Sequence, residues 1–496
     1  MNAIFGKSLP IPTTVFCINK WQFLLLVAMA VLIAGKNFLL MVDGLGEADT
    51  ARLMNDAIIW HHTDSLPFVS YRAKTSPGYL AIIKYFIDSG VSYEKIINIL
   101  NSINAVIGAI LIFISFFFFR LFFPFITAFA CVIMLSFVPS VSVFSIYGFP
   151  TLLAYAAFYV SILLFVQSSV ISPGLSLPLL IAAVITLSIG TILKADIILL
   201  AGGYLGVLVA FGRLSRATLL SGIFIIIIGA VAPLVFKHFL LPDTVSSVPK
   251  IISFSQNWSE QYPLSLEHFF SIRNIGITAS SVGLIFAFLG VFGAIYSTLR
   301  YDTRRVTWVV ILLALPLVLF WGARPGNSAR HMLGLAIPTI VMVGILLQSF
   351  RCWRFSRSAI LVSTSVAIVS NYFSIPASES TIAPSARLIE SARMIRKQVS
   401  EAMKYGDSIT KSREAKHYLI DSYTMPYSLY NVLKHSRSIN RWSREAEAYE
   451  LDISLVSGKN ISLGWEQIQS LEHATALANQ MRSSGFVVWS VQYPGI

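Results

Sequence analysis

Charge is what this 496-residue chain has least of: 12% of its residues are Asp, Glu, Lys or Arg, about half the roughly 25% of a soluble globular domain. With 55% hydrophobic residues and a mean hydropathy of +0.71, the sequence excludes a chain solvated by water along its whole length. Cysteine is scarce as well. Cys17, Cys131 and Cys352 lie in or beside apolar stretches without the spacing of a metal site or redox pair, so a disulfide framework is not expected. Acid is scarcer than base, 24 residues against 37, for a net charge of +13. Nucleic-acid binding needs such cations gathered on a soluble surface. Here many stand singly at the ends of apolar runs, where they orient helices, and nucleic acid is not an expected partner. A Walker A loop, a Rossmann glycine pattern and a nucleophile elbow are missing too, which leaves ATP-driven transport unsupported. The N-terminus lacks the charged-apolar-cleavage order of a signal peptide, so the first apolar run reads as a retained anchor.

What is present is apolar and long. A spanning helix needs about 20 mostly apolar residues. Suitable runs begin at Trp21, Ile96, Phe125 and Phe149, followed by a pair split by Lys194 and Asp196, then at Ala217, Gly276, Val306, His331 and Ala359. They predict about 11 transmembrane helices, with the pair around Lys194 open to reading as one broken helix. Placing Lys7 and Lys20 in the cytoplasm puts Arg120, Arg213, Arg216, Arg300, Arg304, Arg305, Arg351, Arg354 and Arg357 there too, as short basic loops prefer. Residues 43–95, the loop 241–275 and the tail from about 376 then face the other side. In the tail, Tyr449–Leu455 and Phe486–Tyr493 alternate like strands, while Ala386–Lys404 and Trp465–Arg482 have helical spacing. The expected organisation is a polytopic all-α membrane domain over 1–375 and a small extracytoplasmic α+β soluble domain over 376–496.

Candidate chemistry concentrates in the outer segments. Glu47 and Asp49 follow the first apolar run, and Asp49, Arg52 and Asp56 share a face of the next helix. A carboxylate there can take a proton from an attacking hydroxyl; it can equally cap the helix, and the two roles are compatible. Tyr71, Arg72 and Lys74 precede the Ser76-Pro77-Gly78-Tyr79 turn, where cations can hold a phosphate or meet lipid headgroups. Arg324, Arg330 and His331 crowd a short outer loop against the usual charge preference, to meet an anionic ligand or to snorkel into headgroups. Lys194 and Asp196 most simply pair with each other across a tight turn, with a place in the site as a second role. His61, His62 and Asp64 invite a metal, but adjacent histidines on a helix diverge by about 100°. No metal is assigned; a divalent ion is compatible with the sequence but not indicated by it. Asn257 and Asn460 match the short glycosylation acceptor pattern.

Taken together, these motifs resemble the GT-C superfold of membrane glycosyltransferases, particularly the protein-O-mannosyltransferase and lipid A aminoarabinose transferase group. Asp49-Thr50-Ala51-Arg52-Leu53 resembles that group's acidic motif after the first helix, with Thr50 in place of a second acid. Ser76-Pro77-Gly78-Tyr79 takes the place of its Pro-rich return, and Ile192-Leu193-Lys194-Ala195-Asp196 resembles its Leu-Thr-Lys hairpin. Arg330-His331-Met332 through Pro338 resembles a late helix start in which the group carries Tyr rather than His. The resemblance implies an inverting hexosyl- or pentosyltransferase with a polyprenyl- or dolichyl-phosphate sugar donor and a glycan, lipid or protein acceptor. Transfer would occur at the extracytoplasmic membrane face, in a bacterial or archaeal cell membrane rather than the endoplasmic reticulum. It implies Asp49 as the base, with Glu47 able to supply the missing acid, and Arg52, Lys74, Lys194 and Arg330 around the leaving phosphate. A multi-pass transporter or flippase is the alternative, and a non-catalytic assembly or sensor protein the third reading.

Overall fold

The computed structural model describes residue 9 and residues 17–41, 75–91, 93–146, 148–171, 176–240, 265–324 and 331–349. It also describes Thr50, Leu53, Ala57, Trp60 and His61, which lie in helical backbone, and four strands after residue 416. The helices in chain order are α1 (Lys20–Leu40), α2 (Pro77–Asp88), α3 (Tyr93–Arg120), α4 (Phe125–Ser136), α5 (Pro139–Phe144), α6 (Thr151–Val166) and α7 (Leu177–Leu193). There follow α8 (Gly202–Phe211), α9 (Arg216–Leu240), α10 (Ile272–Val282), α11 (Leu284–Leu299), α12 (Arg304–Leu317) and α13 (Ala336–Ser349). Among the described residues, six helical segments are long and apolar enough to cross a bilayer, or seven if the bent pair α10–α11 is one span. Against the expected 11, α4, α7 and the Ala195–Phe211 segment are shorter apolar helices, and the run from Ala359 lies outside the described residues. The chain is an integral, multi-pass membrane protein.

Helices form where apolar runs let every backbone group bond internally, as lipid demands. α1 begins with a capping box, in which Asn19 and Gln22 each bond the other's backbone N–H. Its exposed face carries Trp21, Leu32 and Leu39, suited to acyl chains rather than water. Small residues let helices meet closely. A Cβ at Gly202 would strike the Leu312 carbonyl, so α8 lies directly on α12. Gly283 takes φ +91°, a conformation open to glycine, and there the chain turns 96° between α10 and α11. The sequence read this stretch as one span from Gly276; Asn274, Ser280 and Ser281 are buried in α10 instead, on an amphipathic helix capped by Ser271.

Hydrogen bonds define two ends of the helical domain. At one, Leu9 N–H donates to the Ala210 carbonyl, Arg305 Nη1 to the Val209 carbonyl at 2.7 Å, and Phe122 stacks on Phe211. Arg120 and Arg213 belong to the segments that meet there. Ser161 Oγ accounts for the path toward the other end: it donates to the Ala183 carbonyl and pairs with the Tyr204 hydroxyl at 2.6 Å. The chain leaves that level at Ala183, turns at Lys194 and returns to it at Tyr204, so α7 and the Ala195–Phe211 segment are a hairpin.

In the tail, β1 (His417–Leu419), β2 (Glu450–Leu455), β3 (Lys459–Leu463) and β4 (Phe486–Val491) form one sheet in the order β1-β3-β2-β4. β2 is antiparallel to β3 and β4, with Ile453 opposite Val488, while β1 runs parallel to β3. The helices expected at 386–404 and 465–482 lie outside the described residues.

Candidate functional site at the Lys194 end of the bundle

The site is built around a short link that buried polar groups pin in place. Asn101 and Asn104, three apart on α3, face it together. Asn101 Oδ1 accepts from the Gly148 N–H at 2.5 Å, and Asn104 Nδ2 donates to the carbonyls of Phe149 at 2.7 Å and Phe144 at 3.3 Å. Thr50 Oγ1, 1% exposed, donates to the Gly148 carbonyl at 2.6 Å. The residue standing where the resembling motif carries a second acid therefore supplies a neutral donor that ties its own position in the chain to the 148–149 link. A carboxylate there would meet that carbonyl without a proton to offer.

Phe149 carries the contact onward. Lys194 Nζ lies 5.3 Å from its ring centroid, within the range of a cation–π contact, and 3.3 Å from Asp196 Oδ2. The side chains are 7% and 21% exposed. Lys194 itself is extended, φ −156° and ψ 105°, between the end of α7 and a 3₁₀ turn at Ala195–Leu200. The Pro-Gly return arrives at the same place. Pro77 starts α2, a position where its missing N–H costs nothing, and Gly78 lies against Ile192, two residues before Lys194.

A second cationic group joins from the late helices. His331 stacks flat on Trp321, with centroids 3.6 Å apart and planes 5° from parallel. The buried Arg324 guanidinium covers the Phe320 ring at 4.3 Å. Asn274 Nδ2 ties this corner together by donating to the carbonyls of His268, Gly322 and Arg324. Tyr155 of α6 connects the two groups: it lies within electrostatic reach of Asp196 and hydrogen-bonds the Gly334 backbone. A Cβ on Gly334 would sit 2.6 Å from the Tyr155 hydroxyl, so that approach requires glycine.

Of the residues singled out in the sequence, Lys194, Asp196, Arg324 and His331 are thus brought to one region. Glu47, Asp49, Arg52, Tyr71, Arg72, Lys74 and Arg330 lie outside the described residues, as do His62 and Asp64. His61 is placed, with Nδ1 2.7 Å from Asp88 Oδ1, and among the described residues no three His, Cys, Asp or Glu side chains gather as metal ligands. Tyr155, Phe149, Asn101, Asn104 and Trp321 escaped notice. The paired asparagines within an apolar helix were the one available signal; the aromatics read as core.

The architecture has counterparts of known structure. ArnT from Cupriavidus metallidurans in its apo state superposes with a TM-score of 0.53 at 12% identity, over 92% of this chain and 94% of that one. The same protein bound to undecaprenyl phosphate gives 0.51 at 13% identity, over 84% and 75%. This chain has the GT-C fold. An oligosaccharyltransferase from Archaeoglobus fulgidus aligns at 0.48 and 16% identity, over 81% of this chain and 59% of that one; the assignment rests on the two ArnT structures. No protein-family model matches the sequence, and no curated protein matches it significantly. The GT-C likeness is therefore one of backbone, with the chemistry to be argued from the side chains.

Proposed function

We propose that this protein is an inverting glycosyltransferase that moves a sugar from a polyprenyl- or dolichyl-phosphate donor to an acceptor at the extracytoplasmic face of the membrane. The observation that carries this reading is the relay from Thr50 through Gly148 and Phe149 to Lys194 and Asp196. It moors the chain segment that follows Asp49 beside a partly desolvated ammonium. Asp49 acts as the base that takes a proton from the acceptor hydroxyl or amine, with Glu47 beside it in sequence. The acceptor attacks the anomeric carbon, the bond to the lipid phosphate breaks, and negative charge grows on the departing oxygens. Lys194, with Arg52, Lys74 and Arg330, receives that charge, and fixed cations in a poorly solvated place do so far better than water. Arg324 and His331 line the approach, and Tyr71 and Arg72 are assigned to substrate binding with them. One displacement with no covalent intermediate inverts the centre.

A lipid donor explains why such an enzyme is made of membrane helices: its tail stays in the bilayer while its head reaches the site. The transporter reading is disfavoured because transporters place such charged breaks near the midplane, whereas Lys194 sits at the turn of a hairpin. The fold's fit to ArnT, bound in one structure to undecaprenyl phosphate, supports the donor class. We further assign residues 1–375 to the catalytic domain and 376–496 to an extracytoplasmic domain.

The test is incubation of purified protein with radiolabelled polyprenyl-phosphate sugars and acceptor extract, scoring loss of label from the lipid. The wild type should release label, and Asp49→Asn should lower the rate by about 10²–10⁴-fold at equal expression and insertion. Full activity in Asp49→Asn removes it as the base. A wild type that spends no donor in the panel defeats the transferase reading.

A further inference from the structure

The chain turns 96° between α10 and α11, and the lengths of the helices beside that turn give its depth. α11 has 16 residues, about 24 Å of helix, against the roughly 30 Å hydrocarbon layer of a bilayer. Rising from the end of the bundle that holds Arg305, it stops short of the far boundary. α10 therefore leaves it sideways at the rim of the apolar layer. The neighbouring segment Arg304–Gly322, with 19 residues, rises about 28 Å from the same end. At its top, Asn274 Nδ2 of α10 donates to the Gly322 and Arg324 carbonyls at 2.8 and 3.2 Å. α10 thus crosses the bundle where hydrocarbon gives way to headgroups.

Its two faces suit that depth. Asn274, Ile277 and Ser281, at i, i+3 and i+7, are buried against the protein. Thr278, Ser280 and Ser281 each donate to a backbone carbonyl of the preceding turn, so their hydroxyls ask nothing of solvent. The opposite stripe holds Ile272, Ile275 and Ala279 at the same spacing, and the two isoleucines are 90% and 55% exposed. Phe270, just before the helix, is exposed as well. Polar groups inward and isoleucines outward reverse the pattern of a helix on a water-covered surface. A helix lying in the membrane plane, with its apolar stripe among the acyl chains, has this arrangement. Past Gly283 the apolar exposure continues along α11 through Phe288, Val291 and Ile295, as on any span turned to lipid. Arg273 is exposed beside the stripe, and its guanidinium makes no hydrogen bond or ion pair among the described residues.

We propose that α10 is an interfacial helix: Phe270, Ile272 and Ile275 insert into the leaflet at the Lys194 end, and Arg273 holds a phospholipid phosphate. Arginine fits that ligand because its planar fork offers a phosphate two parallel hydrogen bonds. Through Asn274 the helix fixes the Gly322–Arg324 backbone at the level of the surrounding headgroups. This surface is independent of any sugar transfer, and its test needs no donor.

The test uses the full chain in phosphatidylcholine nanodiscs, with the native cysteines replaced. A nitroxide is placed on Ile272→Cys, on Ile275→Cys or, as a buried control, on Ile277→Cys. Its collisions with oxygen, which concentrates among acyl chains, and with a water-soluble nickel chelate are compared by spin relaxation. Ile272→Cys and Ile275→Cys should favour oxygen over the chelate several-fold, while Ile277→Cys meets both rarely. A chelate-dominated signal would put the stripe in water, and shielding from both reagents would mean that the tail or a second copy covers it; either result overturns the interfacial helix. Arg273→Glu should move the Ile275→Cys label toward the chelate, and Arg273→Lys should move it less. An unmoved label in Arg273→Glu would take the phosphate away from Arg273.

Discussion

Lys194 and Asp196 illustrate how little a charge means alone inside a membrane protein. Both were legible in the sequence, because opposite charges two residues apart inside an apolar run must either pair or face water. Their role was less legible, since Phe149 and Tyr155, which give the pair its setting, look in sequence like any other aromatic on an apolar helix. Removing one member of a poorly solvated pair strands the other and costs about 3–5 kcal/mol, whereas replacing both with apolar groups is often close to neutral. Lys194→Met should therefore lower the thermal stability of the purified protein markedly, and Lys194→Met combined with Asp196→Leu should recover most of the loss. Both variants should be inactive, because the ammonium that receives the phosphate charge is gone from each. A double variant as unstable as the single one would show that the pair is not what Lys194 contributes to stability.

At the scale of elements, the helical backbone at Trp60 and His61 is held to the end of α2 by a clasp. His61 Nδ1 meets Asp88 Oδ1 at 2.7 Å, Lys84 Nζ meets Asp88 Oδ2 at 2.5 Å, and the same ammonium lies 4.9 Å from the Trp60 ring centroid. Partial burial acts to raise the Asp88 carboxyl, but hydrogen bonds and charge from Lys84 and His61 outweigh it and hold Asp88 below its usual range. A carboxylate lowered in the folded state stabilises fully above its unfolded pKa, about 4, and that contribution is lost as pH falls through the lowered folded value. Amide exchange around Trp60, corrected for its intrinsic pH dependence, should stay slow through neutral and mildly acidic pH and quicken below about pH 4. Asp88→Asn should exchange faster at every pH; unchanged protection in that variant would exclude the clasp. Sequence alone did not show this contact, because it joins residues 27 apart through the turn at Pro77. Nor did it show the bend at Gly283, where an apolar average hid the polar face of α10. By contrast, β2 and β4 occupy segments whose strict alternation marked them as strands.

For the whole molecule, the helix starts were legible from hydropathy because lipid imposes length and apolarity on each span. The helices α4 and α7 are as apolar as the spans but shorter, so hydropathy gives their character more readily than their length. What no hydropathy profile contains is which side chains converge, and that comes from the hairpin at Lys194 and the close passage of α6 by Gly334. The helical domain has two distinct ends. Arg305 and the segments bearing Arg120 and Arg213 meet at one end, and Lys194 and the 148–149 link occupy the other. Sidedness then follows from which end faces the cytoplasm, and it decides whether a lipid-linked donor and an outer acceptor can meet at this site. With Cys17, Cys131 and Cys352 replaced by serine or alanine, Ser89→Cys after α2 and Ser215→Cys before α9 give one label position at each end. An impermeant maleimide added to sealed right-side-out vesicles should modify Ser89→Cys and spare Ser215→Cys until the membrane is permeabilised. The reverse pattern would turn the Lys194 end toward the cytoplasm, where nucleotide sugars rather than lipid-linked ones are at hand, and the proposed donor would have to be given up.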